Sequence, residues 1–264
     1  MNKIVIEDGK ITESCIDNSL NIKESKIKEL NDIISINITI QKNTDLKIEC
    51  NSNENTKLVI FINVLENVKC NIYQYISKNI VKISYKYYLN QNSVANICQI
   101  NDLKEVFEMN TFNLNGENAK LKYNLKTIST SNEKYDILVY HNKPNSESNI
   151  ITEGVNIKEG NLKINVSSFI PKNIKKCIIN QNNRIINLTN NNCQICPNLF
   201  IDEEDVIANH SAHIGKCKDE EIFYLMSRGI TYKKAQNLLI EGFLKKNTGL
   251  MKKNIEKIIN RYWR

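Results

Sequence analysis

Two cysteines and two histidines have the spacings in this chain that could hold a metal. Cys193 and Cys196 form a C-x-x-C, and His210 and His213, two of three histidines in 264 residues, follow as an H-x-x-H. Thiolates and imidazoles are the ligands of tetrahedral zinc, and Cys217 adds a spare thiol. Two details weigh against a finger: the histidine pair is one residue tighter than usual, and the intervening "PNLFIDEEDVIAN" reads as two strands around an acidic turn. A zinc-stabilised binding module using Cys193, Cys196, His210 and His213 stays open as an alternative. Nucleophilic chemistry has less support, since a Cys/His pair needs a third group to orient the base and none is identifiable. Asp202, Glu203, Glu204 and Asp205 fall in one turn, which suits a solvated loop better than an acid–base pair.

The elements that must position these residues are mostly strands. From about residue 30 to 207, stretches such as "DLKIEC", "KLVIFINV", "VKCNIYQYI", "VKISYKYYL", "YDILVY" and "LKINVSSFI" alternate and are rich in Ile, Val, Tyr and Phe. Turns rich in Asn, Lys, Ser and Glu separate them. So many strands without helical interruption indicate a sandwich, a barrel or a stacked solenoid, and no fixed repeat period decides among these.

After Gly215 the texture becomes helical. "KDEEIFYLMSRGI" opens with acidic residues suited to a helix N-terminus and closes at Gly229, a C-cap. "TYKKAQNLLIEGFLKK" starts at Thr231 and sets Ala235, Leu238, Leu239 and Phe243 on one face. A third segment carries Met251, Ile255, Ile258, Ile259 and Tyr262 opposite its lysines. Residues 211–264 hold twelve Lys and Arg against five Asp and Glu, which accounts for the whole net charge of +7. A basic excess confined to one end argues against a general nucleic-acid-binding surface. No apolar run approaches the roughly 18 residues of a bilayer span, and the N-terminus has no apolar block, so the chain reads as cytoplasmic with no membrane partner. In that setting the eight cysteines read as small buried hydrophobes rather than disulfides. Asparagine and isoleucine abundance looks like A/T-rich codon usage and receives little functional weight.

Residues 197–244, "PNLFIDEEDVIANHSAHIGKCKDEEIFYLMSRGITYKKAQNLLIEGFL", resemble the C-terminal signature of the SufB/SufD family of iron–sulfur cluster assembly proteins. The shared pattern runs from Pro197-x-Leu199-x-Ile201 through Asp205-Val206 and His210-x-Ala212-x-x-Gly215. It continues through Phe223-Tyr224, Ser227-Arg228-Gly229-Ile230 and Gly242-Phe243. Weaker agreement surrounds His141 in "VYHNKPNSES" and the strand "NNRIINL".

The resemblance implies a mainly β fold, a right-handed parallel β-helix over residues 31–215 after an N-terminal segment 1–30. A short α-helical region, 216–264, would dock a SufC-like ABC ATPase, with Phe223, Tyr224, Arg228, Gly229 and Phe243 as docking candidates. The protein would have no enzymatic activity of its own and would help form a transient iron–sulfur cluster at a dimer interface. Its partner there is a SufB-like subunit or a second copy of itself. The cysteine and glutamate of the SufB pattern fall on Asn182 and Ser211, whereas the SufD-like histidine is present as His210, the candidate ligand. Cys177, Cys193 and Cys196 are the alternative ligands. His213 takes no metal role under this resemblance, and no residue pattern marks a cluster type or a flavin site.

Overall fold

Alternation of Ile, Val and Tyr with Asn and Lys builds strands that stack side by side rather than hairpin by hairpin. The structure, a computed structural model, describes residues 1–27, 33–103 and 105–263, and these contain fifteen strands in one hydrogen-bonded system. Two antiparallel hairpins begin it: β1 (Asn2–Glu7) with β2 (Lys10–Cys15), and β3 (Leu20–Ile27) with β4 (Ile33–Ile40). The boundary expected at residue 30 lies outside the described residues. β5 (Thr44–Val64) and β6 (Lys69–Leu89) are 21 residues each and pair in parallel along their length. Then come β7 (Val94–Leu103) and β8 (Val106–Leu114), β9 (Lys120–Ser129) and β10 (Asn132–His141), β11 (Glu147–Asn156) and β12 (Asn161–Ile170). β13 (Cys177–Asn187), β14 (Gln194–Ile201) and β15 (Val206–Gly215) complete the series.

The odd strands from β7 onward stack on the first half of β6 and the even ones on its second half, all in parallel. The result is a β-solenoid of about six turns with two walls. β1 pairs with the first half of β5 and β4 with the second half, so the two hairpins continue both walls at the starting end. Lys69, Val94, Lys120, Glu147, Ile178 and Ile207 are equivalent in register, at steps of 25, 26, 27, 31 and 29 residues. This drift explains why no fixed period is visible in the sequence.

Asparagine turns the corners. Asn67, Asn92, Asn118 and Asn145 hold equivalent positions with φ of 60, 54, 58 and 58°, the left-handed region that Asn tolerates better than other side-chain-bearing residues. Asn92 Nδ2 donates to Asn67 Oδ1 and Asn118 Nδ2 to Asn92 Oδ1, each at 2.9 Å, so the corners form a ladder. The asparagines set aside as codon usage are therefore structural.

Inside, Ile and Val rows fill most of the space between the walls; Tyr87 stacks on Phe112 at a centroid distance of 4.8 Å, and Tyr123 is tilted against Phe112 at 5.0 Å. The interior is also polar in places. Glu108 is fully buried and accepts from Gln99 Nε2, Asn110 Nδ2 and Asn101 Nδ2 at 2.5, 2.6 and 2.6 Å, while burial raises its pKa.

Burial patterns separate the two walls. β8 alternates strictly, with its outer side facing solvent, whereas β7 and β9 are buried almost continuously through their second halves. The cause is the helical region: α1 (Asp219–Ser227), α2 (Tyr232–Lys245) and α3 (Lys252–Trp263) fold back over the outside of the odd-strand wall. Ile222, Ala235, Ile240, Leu244, Ile255 and Ile258 pack there against Ile100, Ile128, Val155 and Ile186. Each such isoleucine, leucine or valine removed from water contributes about 1.5–3 kcal/mol. In α2 the buried stripe is Ala235, Ile240 and Leu244, with Leu239 and Phe243 partly buried, and the expected Leu238 points outward. Arg261 Nη1 donates to Asp102 Oδ1 at 2.6 Å and pins α3 to β7.

Candidate functional site

Side chains of a strand alternate between faces, and parallel neighbours in register share a face. Gln181, buried inside the solenoid, is the register partner of His210, so His210 belongs to the inner row. Ala208 and Val206 of that row pack against the small core around Cys177 and Ile179. His210 is nevertheless exposed, because among the described residues no strand follows β15 to cover the last turn. It stands in an uncovered turn whose row-mates Ala212 and Ile214 are also exposed, with Ile207 and Phe200 exposed on the outer side of the same turn. Ser211 and His213 face outward, beside Asn182 and Arg184 respectively.

This alternation dismantles the zinc alternative. His210 and His213 are three residues apart on a strand and therefore point to opposite faces. Cys196 is on the outward side of β14, register partner of outward Asn165, and accepts from Gln194 Nε2 at 3.2 Å. Cys193 packs against the main core, and burial raises its pKa. Among the described residues no group of three or more His, Cys, Asp or Glu has metal-holding geometry.

Cys177 is fully buried, with its Sγ 3.3 Å from Ser146 Oγ. Ser146 in turn meets His141, which is also fully buried, its Nδ1 2.8 Å from Ser146 Oγ and its Nε2 2.9 Å from Ser148 Oγ. Burial pushes the His141 pKa down to about 4. His141 and Cys177 thus form part of the interior; Cys177 meets the last turn only from beneath, as the register partner of Val206, and its thiol is not exposed there. The cysteines are unpaired; burial lifts Cys50 and Cys70 to about 12 and Cys98 to about 11, as befits small apolar fillers.

The five docking candidates fall into three situations. Phe223 and Tyr224 stand 72% and 57% exposed on α1, and Met226 and Tyr232 are exposed nearby. Arg228 lies over the Tyr224 ring, 5.2 Å from its centroid. Gly229, at φ +84°, makes the left-handed turn after α1, where Ile230 N–H donates to Leu225 C=O at 3.2 Å. Phe243 is tucked against the wall beneath the Arg184 guanidinium, 5.2 Å away.

Fold and site together define a parallel β-solenoid with one open end and a helical tail docked on one wall. The sequence over residues 31–243 matches the family described as "SUF system FeS cluster assembly, SufBD core domain". The chain belongs to that family, whose members are components of iron–sulfur cluster assembly. It is 36% identical over 100 residues to the iron–sulfur cluster assembly protein SufD of Bacillus subtilis, covering 35% of this chain and 23% of that protein. It is 32% identical over 136 residues to SufD of Escherichia coli, covering 49% and 31%. A SufBD family protein of Pyrococcus horikoshii is 49% identical over 45 residues, covering 17% and 10%. The matched stretches thus span a quarter to a third of the length of the two SufD relatives. No described helix is long and apolar enough to cross a membrane.

Gln181 carries no sequence signal as a site residue, and Asn182 stands out only as the position onto which the cysteine of the SufB pattern falls. Their adjacency to His210 and Ser211 comes from a register 29 residues long, for which the local pattern carries no signal.

Proposed function

We propose that this chain is a SufD-like, non-catalytic subunit of a SUF-type assembly scaffold. Its open solenoid end meets a SufB-like chain or a second copy, and His210 offers one imidazole to the nascent cluster, which is cargo rather than a resident cofactor. The observation that carries the reading is the exposed inner-row His210 in an uncovered last turn. A neutral imidazole is a competent iron ligand, and the apolar row beside it gives a partner something to bury. A SufC-like ABC ATPase docks on α1, where Phe223 and Tyr224 stand in water although they are aromatic. Phe243 and Gly229 support that surface from below rather than touching the ATPase.

The two surfaces make the test separable. Co-expression with the ATPase and a SufB-like chain, followed by mass determination, defines the complex. His210→Ala is expected to keep the complex and lose cluster formation, and Phe223→Ser with Tyr224→Ser to lose the ATPase alone. Normal cluster yield in His210→Ala overturns the ligand role, and retained ATPase in the α1 variant overturns the docking surface.

A further inference from the structure

The amide of Gln181 is only 3% exposed and is fixed from the far wall: its Nε2 donates to Ser168 Oγ at 2.9 Å and to Asn198 C=O at 3.3 Å. Reversing the amide would forfeit the bond to Asn198 C=O and set two carbonyl oxygens against each other, whereas the Ser168 hydroxyl can pair with either end, so Oε1 stays where it is. That oxygen is buried and, among the described residues, has no hydrogen-bond partner. A buried carbonyl oxygen left unpaired costs about 1–3 kcal/mol, so the neighbours that could relieve it matter. Along the row, Gln181 has Ile150 on one side, fully buried and without a donor, and His210 on the other. Adjacent strands lie about 4.8 Å apart, which brings a turned imidazole within hydrogen-bond reach.

We infer that Gln181 is the positioning residue of His210, with its buried Oε1 as the acceptor for one imidazole N–H. The inference rests on the reading of His210 as a ligand for its purpose, though not for its test. An imidazole that donates one N–H to a fixed acceptor holds its other nitrogen as a lone pair in a single direction. At the open end, that direction is toward whatever covers the last turn. A neutral acceptor serves this better than a carboxylate would. It selects the tautomer without promoting the doubly protonated ring, which has no lone pair to offer a metal.

The experiment is nitrogen-15 histidine NMR on the purified full chain, in which only three histidines appear, assigned with His213→Gln. Buried His141 reports independently on the fold. In the unsubstituted chain His210 is expected to show one dominant tautomer. Gln181→Met is expected to leave the His141 signals in place and give mixed tautomers at His210. Gln181→Glu, which keeps the size and an acceptor, is expected to restore a single tautomer. An identical tautomer ratio in the unsubstituted chain and Gln181→Met overturns the positioning role, whatever the cluster yield of His210→Ala. Loss of clusters in Gln181→Met with rescue in neither variant and no tautomer change would mark Gln181 as structural only.

Discussion

Asn182 and Ser211 are direct register partners on β13 and β15, side by side on the outer face of the last two strands of the odd-strand wall. They are the positions onto which the cysteine and glutamate of the SufB pattern fall, so two places 29 residues apart in sequence converge here. Restoring the soft and hard ligands should therefore create a site. The double variant Asn182→Cys, Ser211→Glu is expected to bind Co2+ with a thiolate charge-transfer band that the unsubstituted chain and either single variant lack. A double variant without that band would mean that the two side chains do not converge.

His141 and Glu133 give folding opposite pH dependences. The His141 pKa is held at about 4 by burial against an ordinary 6.5, so the unfolded chain takes up a proton that the folded chain refuses between those values. Stability falls as pH drops through that window, by up to about 3 kcal/mol. Glu133, fully buried with Tyr135 and Thr127 donating to its Oε2, is pushed up to about 7 by burial. Its ionisation is released in the unfolded chain above 4.5, so stability falls as pH rises from 4.5 to 7. Glu133→Gln is expected to raise the unfolding free energy at pH 8, read from urea titration, by about 2–3 kcal/mol, and to match the parent near pH 4.5. An equal gain at both pH values would assign the effect to packing.

Arg261 is the only described cation on the buried Asp102 carboxylate, whose other oxygen accepts from Tyr75 Oη at 2.8 Å. Arg261→Met removes that cation and is expected to cost about 1–3 kcal/mol of helix docking. Hydrogen exchange should quicken in α3 while β9 to β12 keep their protection. Asp102→Asn in the same background should recover part of the loss, because the buried charge is then gone.

The asparagine corners can be tested one at a time. Asn118 holds φ 58° and donates to Asn92, so a residue there needs both tolerance of the left-handed region and a side-chain amide. Asn118→Gly keeps the first and is expected to cost under about 1 kcal/mol, whereas Asn118→Val loses both and should cost about 2–3 kcal/mol. Equal melting temperatures for the two variants would show that backbone conformation is not the limiting demand.

Much of the fold is legible where apolar residues face inward. β5, β6, β9, β10 and β12 all coincide with stretches that alternate in the sequence. β8 and β11 do not read as strands because their inner rows contain Glu108 and Asn110, or Ser148, Thr152 and Asn156, all buried and polar. Local pattern treats such residues as turn formers, and only the opposite wall, unseen in a linear reading, explains them. The helices are legible because each has one apolar stripe, and Gly229 marks the end of α1 as expected. At the site, the His210 phrase stands out in the sequence, and strand alternation then separates His210 from His213. The metal-like grouping with Cys193 and Cys196 fails for the same reason, since spacing suited to a helix does not converge on a strand.

β15 is paired on one side by β13 and, among the described residues, by nothing on the other. Its outer edge therefore offers N–H and C=O groups at sheet spacing, backed by the exposed Ile207 and Ile214. Such an edge is a growth tip for fibres. Copies synthesised in excess of their cap are expected to add end to end or to enter degradation. The share of copies whose last turn is covered would then set how much of the chain survives as usable protein.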